Sequence, residues 1–198
     1  RDWSSDVCSS DLYGIERTEE DQILNGNGSS PQITGLLNTS GIQTLAYSSG
    51  SRADRIHNAM TNVRTVPNSV FANAGGGTEP DAMVIHPTDW ETIRLSKDTN
   101  QQYYGGGPFT GAYGNGGFSN VESLWGLRAV ITSAIAQGTA LVGAFYEASQ
   151  YYNRQGVVID ITNSHSTNFT NRVVTIRGAL RGAIATRKPY FFCTVTGL

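Results

Sequence analysis

The sequence predicts an α+β protein. Segments with helical spacing fall in the first half, strand-like apolar runs fill the second half, and a glycine-rich stretch separates the two. Length sets the scale, because 198 residues suffice for one ordinary domain or two small ones. Charged residues make up 15% of the chain, against a usual ~25%, and Gly accounts for 23 of the 198 positions, well above the usual ~7%. Such a chain has many turns and few solvated charged faces.

The elements follow in order. Residues 1–12, RDWSSDVCSSDL, carry no hydrophobic period and contain the near-repeat SSDVCSSDL. They resemble a translated sequencing-adapter scar and are set apart from the fold as an artefactual segment. Without Arg1, Asp2, Asp6 and Asp11 the basic and acidic residues balance, and a scar there implies a C-terminal fragment of a longer protein. Residues 13–24 read as the exposed end of a helix, with Ile15, Ile23 and Leu24 among Glu16, Glu19, Glu20 and Asp21. Asn25-Gly26-Asn27-Gly28 stops it.

Residues 29–50 read as a loop with one apolar cluster, Gly35-Leu36-Leu37-Asn38. An amphipathic helix is predicted over 53–66 from Ile56, Ala59, Met60 and Val63, with Ser51 and Asp54 as its capping box and Pro67 as its stop. Met83 to His86 forms a short apolar strand that leads into a helix opened by Pro87, with Thr88 and Glu91 as capping box and Trp90 and Ile93 on one side. Residues 101–120, with two glycine clusters, read as a long loop. Strands are then predicted at 127–132, 140–145, 157–162, 172–186 and 190–195. The run 172–186 is the most informative. Val174, Ile176, Leu180 and Ile184 share one face, while Thr175, Arg177, Ala179 and Arg181 share the other.

Composition also excludes function classes. A net charge of −2 and a pI near 5.9 do not favour a polyanion or an anionic membrane as obligatory partner. No run approaches the ~20 apolar residues of a membrane span. Cys8 and Cys193 lack the spacing for zinc and cannot build a disulfide framework, which suits a reducing cytoplasm. The histidines are His57, His86 and His165, and neither HExxH, GxSxG, a phosphate-binding loop nor GxGxxG is present. No catalytic residue, metal or cofactor is predicted. Asp89 and Glu91 flank Trp90 as a glycosidase pair would, yet their place in a first helical turn explains them as partners of the helix dipole.

What remains points to assembly. No Asp or Glu follows Asp160, so Arg172, Arg177, Arg181, Arg187 and Lys188 need acidic partners from elsewhere. The arginine face of the long strand suits intersubunit ion pairing, with cohesion coming from many copies and apolar area, since exposed pairs contribute only ~0–1 kcal/mol each. Aromatic residues in glycine-rich loops anchor the loop or a subunit contact more often than they stack on sugars or bases. Arg177, Arg181, Tyr103, Tyr104, Phe109 and Tyr113 are therefore the candidate intersubunit contacts.

Several segments in order carry a specific resemblance: EEDQILNGNG, PQITGLLN, SRADRIHNAM, MVIHPTDWETIRLSKDTNQQYYGG, LWGLRAVITSAIAQGTALVGAFYEASQYYNRQGVVIDI and NFTNRVVTIRGALRGAIATRKPYFF. Together they resemble the major capsid proteins of tailed bacteriophages, the Hong Kong 97-type fold, over residues 13–198. The resemblance implies a peripheral domain from 13–32 and 149–198 and an axial domain from 33–148, the latter carrying the glycine-rich loop around a capsomer centre. It implies that the N-terminal arm, the extended loop and most of the spine helix are missing.

It also implies a structural subunit of an icosahedral head, self-assembling into pentamers and hexamers around double-stranded DNA held only non-specifically. Scaffold, portal and decoration proteins would be further partners, with assembly in the host cytoplasm and no membrane. Crosslinking members of the family join a loop Lys to an Asn near the start of the long strand, helped by a Glu. Here Asn171 lies near that acceptor position, but the Ile-Arg core aligns Arg172 with it and Ala179 with the Glu. Without a carboxylate to take the proton, no covalent crosslinking is predicted. The rival readings are an encapsulin-like compartment shell and a carbohydrate-binding or hydrolytic β-rich domain.

Overall fold

The computed structural model describes residues 4–48, 50–66, 76–97, 99–102 and 122–198, with side chains from residue 13 onward. The chain divides into two compact units, Arg1–Leu36 with Tyr151–Ala185, and Leu37–Gln150 with Thr186–Leu198. Helices and strands alternate up to residue 94 and strands dominate from residue 123, a mix of helix and sheet that agrees with the α+β reading.

In the first unit, helix α1 spans Ser4–Asn25. It begins well before residue 13, so the stretch set apart as artefactual continues the helix from Ser4. The Asn-Gly-Asn-Gly stop acts through close backbone approach. Gly26 N–H donates to Gln22 O at 3.0 Å, and Gly35 N–H donates to Gly26 O at 2.8 Å. A Cβ on Gly35 would lie 2.5 Å from Gly26 N and 2.6 Å from Leu24 O, so only glycine lets the returning chain pass.

The same unit holds nearly all of β6 (Ser149–Thr162) and β7 (Thr175–Thr186), which pair as a separate two-stranded sheet. The predicted strand 172–186 starts three residues late. Residues Asn168–Asn171 form a helical turn, α5, and Arg172 ends it in the left-handed region at φ 55°. The expected burial of one apolar face also holds only in part: Leu180 and Ile184 are half-buried, whereas Val174 and Ile176 are 56% and 40% exposed.

The second unit is built on a mixed six-stranded sheet in the order β1-β8-β5-β2-β4-β3. Its strands are β1 (Gln43–Ala46), β2 (Ala82–Ile85), β3 (Ser123–Leu124), β4 (Leu127–Ile131), β5 (Thr139–Gly143) and β8 (Phe192–Thr196). Parallel pairs join β1 to β8 and β2 to β4, and antiparallel pairs join β5 to both β2 and β8. Helix α2 (Arg52–Thr65) packs on β8 and β5. Its Ile56, Ala59, Met60 and Val63 enter one core with Trp90 and Ile93 of α3 (Pro87–Arg94) and with Met83, Ile85, Ala140, Val142, Cys193 and Val195. A short helix, α4 (Phe145–Ala148), follows β5.

Three details correct the sequence reading. Strand β1 lies where a loop was expected over 29–50; four residues suffice because Gln43 to Ala46 pair with Cys193 to Thr196. Residues 186–198, grouped with the long strands by the domain reading, contribute β8, which is hydrogen-bonded on both sides within the six-stranded sheet. Neither capping box forms as expected. Ser51 sits at the α2 N-cap without a side-chain cap bond, and α3 is capped by His86, whose Nδ1 accepts the Thr88 N–H at 3.2 Å. Pro87 at the first helical position moves the cap one residue ahead of it.

Candidate intersubunit surface

An isolated pair of strands is marginal in water and needs a third strand, a helix or a partner to cover it. Part of the β6–β7 ribbon is covered by α1 within the same unit. The Ile15 side chain occupies the space left at Gly178, and the Tyr151 ring that left at Gly182. Tyr151 also hydrogen-bonds Glu19, and burial followed by that contact pushes its hydroxyl up to about 12, which keeps it a proton donor.

The rest of the ribbon stays open. Val157, Val158, Ile161 and Ile176 of the ribbon are exposed, Ile161 at 68%, as are Val173 and Val174 just before β7. Between α1 and the ribbon lies a groove of about 1240 Å³ with Ile15, Ile33 and Leu180 among its apolar lining and Arg154 and Arg181 among its polar residues. This concentration of apolar surface on a thin ribbon suits burial against another chain.

The two strand arginines differ in setting. Arg177 Nη2 meets Asp160 Oδ2 at 2.7 Å across the ribbon, with both side chains largely in water, so the pair contributes no more than ~1 kcal/mol. Arg181 is exposed and lines the groove. Lys188, which needed an acid, finds Glu147 at 2.5 Å, and Arg187 finds the Gln150 side-chain oxygen at 2.8 Å. Tyr103, Tyr104, Phe109 and Tyr113 lie outside the described residues.

The residues screened for chemistry do not converge. Asp89 is buried and accepts the Gly138 N–H at 2.6 Å, whereas Glu91 is exposed beside Arg52, Leu95 and Lys97. They do not form an acid pair bracketing a sugar. His86 caps a helix, and His57 lies edge-on to Trp125 with ring centroids 5.3 Å apart. Among the described residues no group of three or more His, Cys, Asp or Glu is placed to hold a metal ion. No helix among them is long and apolar enough to cross a membrane.

Sequence reasoning missed Trp125. It forms the two-residue turn between β3 and β4 with Gly126, at φ 54° and 85°. The motif Leu-Trp-Gly-Leu contains the glycine that such a turn needs, but Trp stands where Asn or Asp is usual.

Residues 12–197 match the model of the phage capsid family, and the chain belongs to that family. It is 34% identical over 182 residues to the major capsid protein of Enterobacteria phage HK97, an alignment covering 90% of this chain and 42% of that protein's length. Among solved structures, the capsid of an empty GTA particle, computed with C5 symmetry, superposes with a TM-score of 0.71 at 10% identity, over 98% of this chain and 66% of that one. A Microbacterium phage Oxtober96 structure gives 0.68 at 16% identity, over 99% and 66%. The SrpI encapsulin of Synechococcus elongatus gives 0.61 at 11% identity, over 100% and 66%.

Proposed function

We propose that the chain is a structural subunit of an icosahedral phage head. Copies join into pentamers and hexamers that enclose double-stranded DNA, and the protein works by tiling rather than by turnover. The carrying observation is the ribbon: a two-stranded sheet with apolar residues in water along much of its length gains stability from a neighbouring copy. Family membership supports the same reading.

Within that reading, the unit of α1 and the ribbon is the peripheral part of the subunit, and the six-stranded unit, β8 included, is the axial part. Near-neutral charge limits repulsion between many copies, and heterologous contacts close the rings. Arg177, Arg181, Tyr103, Tyr104, Phe109 and Tyr113 are proposed contact residues. The product resides in the virion after assembly in the host cytoplasm, with scaffold, portal and decoration proteins as further partners. Arg172 and Ala179 at the positions of an acceptor Asn and an assisting Glu argue that the shell is held without covalent crosslinks. Denaturing electrophoresis of assembled particles then yields monomers only.

A second reading, an encapsulin-like compartment, is favoured by the SrpI superposition over the full chain. Phage HK97 capsid identity of 34% outweighs it. Light scattering on the product of the complete gene tests assembly, with large particles expected and a strict monomer overturning it. Nuclease-protected DNA in particles from infected cells supports the phage head, and packaged protein cargo supports the compartment.

A further inference from the structure

The turn Trp125-Gly126 has positive φ at both residues, the type I′ geometry that favours Asn-Gly, Asp-Gly or Gly-Gly. A bulky aromatic in the left-handed region is sterically disfavoured. Among the described residues Trp125 gains little to offset this. Its side chain remains 53% exposed, and its ring contact among the described residues is the edge of His57, itself exposed on α2. A residue held against its backbone preference with half its surface in water points to a role outside its own chain.

The location fits such a role. The turn closes the hairpin at one end of the six-stranded sheet, where β3 is the outermost strand. Tryptophan is among the residues that dominate interface energetics, because one rigid side chain buries a large apolar area. A chain with a net charge of only −2 has little long-range attraction to hold copies together, so an apolar anchor suits it. We propose that Trp125 anchors the contact between copies, its indole burying against a different surface of the adjacent copy in a ring. This rests on the shell-subunit reading and names a residue for its cohesion; the symmetric shells of the superposed capsids make a second copy the occupant.

The test uses the complete gene product with Trp125 replaced by photoreactive benzoylphenylalanine, irradiated after assembly. Copy-to-copy crosslinks on a denaturing gel are expected. Crosslinks confined to one chain, or none, in well-formed particles overturn the proposal. Trp125→Asn provides a second arm, since it relaxes the turn. The unassembled protein should keep or raise its melting temperature while particle yield falls at least tenfold. Wild-type particle yield from Trp125→Asn overturns the anchor alone, whereas an unsubstituted protein that never assembles overturns the shell reading itself.

Discussion

The buried carboxylate of Asp89 accepts the backbone N–H of Gly138 at 2.6 Å and so ties the first turn of α3 to the turn before β5. Gly138 O in turn accepts the N–H groups of Gly197 and Leu198 at 2.9 and 3.1 Å. Three parts of the sheet unit thus meet at one residue. A hydrogen bond to a charged group contributes about 1.5–3 kcal/mol, and its loss leaves a part-buried N–H unpaired. Asp89→Ala is expected to destabilise the protein by about that amount in urea denaturation, while Glu91→Ala, at an exposed site, stays within about 0.5 kcal/mol. Equal effects would show that Asp89 is not the tie.

Helix α3 depends on an unusual cap. His86 Nδ1 is an acceptor only while that nitrogen is unprotonated. Losing a side-chain cap costs about 1 kcal/mol, so His86→Ala should lower stability by about that much and His86→Asn should recover most of it. Thermal denaturation of the two variants checks this. A His86→Asn variant no better than His86→Ala would mean that ring packing, not capping, is what matters.

Two exposed acids give stability a pH dependence. Glu147 receives Lys188 Nζ at 2.5 Å and Thr78 Oγ1 at 2.7 Å, and these bonds hold its carboxyl below the ordinary value, Lys188 contributing most. Arg64 does the same for Glu79, donating Nε to Oε2 at 2.9 Å. A lowered folded-state pKa means that the contribution is complete above the ordinary carboxylate value and is lost as pH falls through the folded one. Both groups lie in water, so the effect is small and screened by salt. The urea midpoint should drop less between pH 7 and pH 3 in a Glu79→Gln, Glu147→Gln double variant than in wild type. An identical drop would remove these pairs from the account.

Cys193 lies in the centre of the sheet core, and burial pushes its thiol up to about 12. The thiolate is the reactive form, so a native protein at pH 8 should resist alkylation at this site. Mass spectrometry of the peptide that contains Cys193 should show modification rising only with unfolding. Rapid labelling in the native state would contradict its place in the core.

How much of this was legible in the sequence depended on local signals. Helix α2 was readable because Ile56, Ala59, Met60 and Val63 repeat at helical spacing and all four are buried. Strand β1 was not, because Gln43-Thr44-Leu45-Ala46 carries little β propensity and owes its conformation to pairing with β8, 150 residues away. The alternation in β7 was visible, but alternation does not tell which end is covered; Ile15 of α1 meets Gly178 and Tyr151 of β6 meets Gly182, while Val174 and Ile176 stay in water. Asp89 was read as a helix-dipole partner, and its bond to Gly138 needed the fold. Trp125 was quoted as part of a motif, yet nothing local distinguishes a strained turn residue from a core one. Arg177 stood out as an arginine in need of an acid from elsewhere, whereas Asp160 of the same ribbon supplies one.

Electron microscopy of the complete gene product tests the central claim most directly. The account predicts closed, hollow shells whose averaged images resolve five-fold and six-fold rings of this subunit. A preparation of well-folded protein that shows only dispersed single chains at every concentration would contradict it.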